Sequence, residues 1–82
     1  MKLDVVQDAK DHTYTISVKI EQFKTLRDYE VLHNLINAIS LDFDLDPEIS
    51  VVDLKNIVIE AKKEEADEVT CEIGPDGIDI EF

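Results

Sequence analysis

Arginine and cysteine each occur once in this 82-residue chain, glycine and proline twice each, and tryptophan not at all. A single cysteine cannot form an internal disulfide. The longest apolar run is the Ile-Val-Ile of residues 57–59, far too short to cross a membrane. Met1-Lys2-Leu3-Asp4 opens no apolar segment of signal-peptide length. These absences predict a cytoplasmic protein without a membrane segment. Two glycines make no phosphate-cradling loop, and no Ser/His/Asp set or nucleotide motif is present. Free use of lysine and isoleucine beside one arginine suggests an AT-rich source, such as a low-GC bacterium or its phage.

Bases are scarce, whereas acids are abundant. Eight Lys+Arg stand against 20 Asp+Glu, giving a net charge of −12. The imbalance sits in one half: residues 1–41 carry 6 acids and 5 bases, residues 42–82 carry 14 acids and 3 bases. A field of that sign repels nucleic acid and anionic membranes and attracts basic protein surfaces. Direct binding of nucleic acid or membrane is therefore not expected. Hydrophobic residues still make up 44% and are spread periodically, which excludes a disordered acidic tail. The length predicts one domain over 1–82.

Alternation marks the strands. Leu3 and Val5 share one side of a strand over 2–8, and a polar turn over 8–12 follows. Tyr14, Ile16, Val18 and Ile20 then alternate with Thr13, Thr15, Ser17, Lys19 and Glu21, the period of a half-buried strand. The period changes at Thr25-Leu-Arg-Asp28, a capping box, with Phe23 placed to pack near the first turn. A helix is predicted over 26–41, with Leu26, Tyr29, Leu32, Leu35, Ile36 and Ile39 on one face. Residues 51–63 read two ways. Ser50-Val-Val-Asp53 is a second capping box for a helix sharing Leu54, Val58 and Ala61, but the β-branched cluster at 57–59 favours a strand with Ile57 and Ile59 inward. The Gly-Pro-Asp-Gly of 74–77 joins two further alternating runs, Val69/Cys71/Ile73 and Ile78/Ile80/Phe82, into a hairpin.

The expected fold is α+β in the order ββαβββ, an antiparallel sheet with one helix on one face; the alternative is ββααββ. Its inward stripe also takes in Leu3, Val5, Tyr14, Ile16, Val18 and Ile20. Its other face carries Asp4, Asp8, Thr13, Thr15, Ser17, Glu21, Glu60, Glu72, Asp79 and Glu81.

Residues 42–53 resemble a calcium loop, with Asp42, Asp44, Asp46 and Asp53 at positions 1, 3, 5 and 12, Glu48 at position 7 and Ile49 at position 8. The departures are Pro47 where the sharp turn needs glycine and Asp53 where a bidentate Glu is usual. The plainer expectation is an extended segment with Phe43 and Leu45 inward and the aspartates in water. Cys71 on the inward face reads as a buried thiol. His12 falls in a turn and His33 at the border of the helix's apolar face, with no second ligand at metal spacing. No cofactor, metal or enzyme activity is expected.

Carboxylates on alternate residues of a strand stand about 6.6 Å apart on one face, a repeat of the order of phosphate spacing. The sequence is thus read as a non-enzymatic protein-binding module that docks on a basic partner, such as a nucleic-acid-binding protein. Its most specific form is an inhibitor or nucleic-acid mimic, and a phage origin fits that reading. The expected contact residues are Asp42, Asp44, Asp46, Glu48, Glu60, Glu72, Asp79 and Glu81. The alternative is an assembly subunit pairing through strand edges, especially 78–82, and incompletely covered apolar area predicts a homodimer.

Overall fold

Reciprocal hydrogen bonds between a hydroxyl residue and an acid three positions later start both helices. In the computed structural model, which describes residues 1–82, Asp53 N–H donates to Ser50 Oγ at 3.1 Å and Ser50 N–H donates to Asp53 Oδ2 at 2.9 Å. Asp28 Oδ2 accepts from the backbone N–H of both Lys24 and Thr25 at 2.9 Å. These bonds to the charged form hold both carboxyl groups below the ordinary carboxylate range.

The elements are β1 (Asp4–Gln7), β2 (Tyr14–Lys19), α1 (Leu26–Leu41), α2 (Val51–Lys63), β3 (Glu68–Gly74) and β4 (Gly77–Glu81), with a 3-10 turn over Ile20–Gln22. The fold is α+β, and its order is ββααββ rather than ββαβββ. The four strands form one antiparallel sheet in the order β1-β2-β3-β4, with the helical hairpin inserted between its two central strands.

The segment expected as a fifth strand is α2. Its buried residues are Leu54, Val58 and Ala61, spaced as one helical face. Ile59, expected inward, is 47% exposed. The cap at Ser50 and the burial of that face outweigh the modest helix penalty of three β-branched residues, because packing overrides propensity.

The register explains the core. Ile16 lies opposite Cys71 and Val18 opposite Val69, and all four are buried. Leu32, Ile36 and Ile39 of α1 and the apolar face of α2 join them in one cluster. Both helices therefore cover the central strands, and the edges are covered less: Val5 is 42% and Phe82 50% exposed, against the expectation that both face inward. Phe23 is buried and stacks on Tyr29 with centroids 4.9 Å apart, setting the entry to α1. The 74–77 turn forms as expected. Gly77 has φ +127°, and a Cβ on Gly74 would meet Thr13 Oγ1 at 2.8 Å.

Both helices also end alike. Leu45 N–H donates to Ser40 O and Asp44 N–H to Leu41 O; Ala66 N–H donates to Ala61 O and Glu65 N–H to Lys62 O. This is the Schellman arrangement, which demands a left-handed residue in its penultimate place. Asp44 (φ 53°) and Glu65 (φ 56°) fill that role where glycine is the usual occupant. Glu65→Gly should therefore stabilise the protein by about 0.5–1 kcal/mol, since relief of the side-chain strain exceeds the added chain entropy. Asp44→Gly should gain less, because aspartate tolerates this conformation better than glutamate. Urea unfolding of the two variants measures both gains.

Candidate functional site

Every second residue of the strands points away from the helices, and these positions build one surface that is polar except at Val6. The register sets them in rows: Val6, Thr15, Glu72 and Asp79 in one, Asp4, Ser17, Thr70 and Glu81 in the next, then Lys19 beside Glu68. The acids on this open face are Asp4, Glu68, Glu72, Asp79 and Glu81. Lys19 is the base among these strand positions, and its Nζ is already 3.5 Å from Glu68 Oε2.

Glu72 and Asp79 are direct cross-strand partners. Like charges facing each other across a ladder destabilise a sheet. Their row ends beside a hollow lined by Thr13, Gly74, Pro75 and Asp76, which adds a further carboxylate at the turn.

The eight acids expected at a contact surface are divided among three places. Glu72, Asp79 and Glu81 share the open sheet face, as their alternation implied. Glu60 lies on α2, exposed, with its Oε1 3.4 Å from Lys63 Nζ; it leaves the sheet face because its segment is helical. Asp42, Asp44, Asp46 and Glu48 are exposed on the connection between the helices, whose residues 45–49 border Gly77 and Ile78 on the helix side of the sheet.

In that connection residues 42–44 form a turn rather than the expected extended segment, while the aspartates are exposed as expected. Phe43, Leu45 and Ile49 pack against the core, and Phe43 meets Tyr14 edge-on at 6.1 Å. Asp44 occupies its place for the helix end, and no group of three or more His, Cys, Asp or Glu side chains is arranged to hold a metal ion. The sequence reading missed the strap that holds the connection down. His33 Nε2–H donates to the Ile49 carbonyl at 2.9 Å, leaving Nδ1 to accept from Asn37 Nδ2 at 3.4 Å. The available signal was a histidine at the apolar border with an amide one turn later.

Cys71 is fully buried, and burial pushes its thiol up to about 11. It is held protonated and beyond the reach of a substrate, the opposite of an activated nucleophile. No helix is long and apolar enough to cross a membrane. Comparison with protein-family models, with curated proteins and with solved structures gives no match.

Divalent cations should act on this protein only through its overall charge. Millimolar Ca²⁺ and Mg²⁺ should raise the melting temperature equally, and Asp42→Ala should leave the rise intact. A larger rise with Ca²⁺ that Asp42→Ala abolishes would show a specific site, since binding to the native state stabilises it by mass action.

Proposed function

We propose that the protein is a non-enzymatic binding module whose open sheet face docks on a basic surface of a partner protein. The observation that carries this reading is the Glu72–Asp79 pair. A surface needed only for solvation gains nothing from two carboxylates set directly opposite each other. A face meant to meet positive charge does, because the repulsion is relieved in the complex. Local rules are broken at functional sites and compensated elsewhere. Asp79 and Glu81 add the two-residue strand repeat of about 6.6 Å that a phosphate-binding groove would accept. In its most specific form the module is an inhibitor or nucleic-acid mimic acting on a nucleic-acid-binding protein. A cytoplasmic setting suits its single buried thiol.

Two triple variants with the same net charge separate a recognition face from general acidity. Glu72, Asp79 and Glu81 changed together to Lys move the charge from −12 to −6, at +2 per substitution. Asp42, Asp46 and Glu48 changed to Lys do the same on the connection. The partner retained by the wild-type protein from source-cell lysate at low salt should be lost by the sheet variant and kept by the other. Most of the loss should lie in the association rate, which charge steers. Equal retention by both variants would reduce the acidic face to solvation. The sheet variant should remain folded, because all three positions are exposed and two lysines facing each other at 72 and 79 repeat the like-charge pairing that the carboxylates already make.

A further inference from the structure

We infer that the free edge of β1 is an interface for a second copy of this chain, paired antiparallel about a twofold axis at Val5. All four residues of β1 are exposed, Val5 at 42% and Val6 at 64%. An edge strand with two exposed valines and open backbone groups is a template for another strand.

The hydrogen bonds say which groups are open. Asp8 N–H donates to Thr13 O at 2.8 Å. Bonding alternates along an antiparallel ladder, so Asp4, Val6 and Asp8 bond toward β2, while the N–H and C=O of Leu3, Val5 and Gln7 point outward. Lys2 fits the same alternation: its N–H is turned inward, to Gln22 Oε1 at 2.8 Å. The strand is thus tied at both ends, to Gln22 and to Thr13.

Charge, together with overlap of the strand Asp4–Gln7 on itself, then selects the register. For the helices of both copies to lie on one side, odd residues must face odd and even face even. Centring on Asp4 sets Asp4 against itself, and centring on Val6 sets Asp4 against Asp8. Centring on Val5 sets no acid against an acid. It places Leu3 opposite Gln7, Asp4 opposite Val6, and Lys2 opposite Asp8 on both sides of the axis. The other edge, β4, cannot do this. Centred on Asp79, Ile80 or Glu81 it puts Asp79 on Asp79, Asp79 on Glu81, or Glu81 on Glu81, and centred on Ile78 it pairs only residues 77–79 of the strand before the turn at Pro75 and Asp76 intervenes. Like charges directly opposite destabilise strand pairing, so β1 is the edge that associates, not the 78–82 run. The product is an eight-stranded sheet with four helices on one side. The inference stands whether or not the open face meets a basic partner.

Sedimentation equilibrium at 0.3 M salt, where repulsion between two chains of −12 is screened, reads the association directly. The wild-type protein should approach twice the chain mass at high concentration, with association weakening as salt is lowered. Val5→Pro should be monomeric with an unchanged far-UV spectrum, because the lost N–H points outward and proline is tolerated there. Lys2→Glu sets an acid against Asp8 twice and should weaken association roughly tenfold or more. Should Val5→Pro disturb the fold, Lys2→Glu decides alone. A monomer at every concentration, a dimer untouched by Lys2→Glu, or a dimer that survives in folded Val5→Pro would overturn the inference.

Discussion

One face of a four-stranded sheet has to be kept from water, and the rest of the molecule is arranged around that need. The Ile16–Cys71 and Val18–Val69 pairs sit at the middle of the sheet and are at most 1% exposed. A single helix is too narrow to cover them. Two helices side by side suffice, provided the connection between them holds α2 against α1. The strap from His33 to Ile49, the inward Phe43 and Leu45, and the end structure around Asp44 make that connection. Truncating a fully buried side chain such as Leu54 or Ile36 costs about 2–5 kcal/mol. A domain of this size has only about 4–12 kcal/mol in all. The cover is therefore not a refinement of the fold; its loss would unfold the protein.

The same constraint defines the surface. Because both helices lie on one side, every outward strand residue is left to solvent, and the acids there form one plane. Lys55, Lys62 and Lys63 stand on α2, on the other side of the sheet, so these three bases do not neutralise that plane, where Lys19 pairs with Glu68 alone. A uniformly charged shell would give no orientation to a docking partner. A plane of carboxylates held on paired strands presents its charge in a fixed array, whereas the helical layer mixes Lys55, Lys62 and Lys63 with acids such as Asp53 and Glu60. The Glu72–Asp79 repulsion is tolerated because the apolar pairs of the same strands, on the reverse face, fix the register.

Much of this was legible in the residues. The alternation of 13–21 and of 69–73 was unmistakable, and Thr25 with Asp28 marked the start of α1. The outward placement of Glu72, Asp79 and Glu81 follows from period two alone. The error at 51–63 came from weighing three β-branched residues above the cap at Ser50. Local propensity cannot see that Leu54, Val58 and Ala61 have a sheet to pack on. The pairing of Glu72 with Asp79 needed the register, which turn chemistry suggested and only the folded ladder specifies. The exposure of Val5 was hidden for a related reason: alternation says which side a residue faces, not whether anything lies over it.

The central claim is that the open sheet face, rather than acidity in general, receives a basic partner. Amide chemical shifts recorded during titration with a lysine-rich peptide test it most directly. The account predicts the largest changes at Ser17, Thr70, Glu72, Asp79 and Glu81, fading as salt is added, with residues 42–48 and α2 nearly still. Changes of equal size at Asp42, Asp46, Glu48 and Glu60 would contradict it.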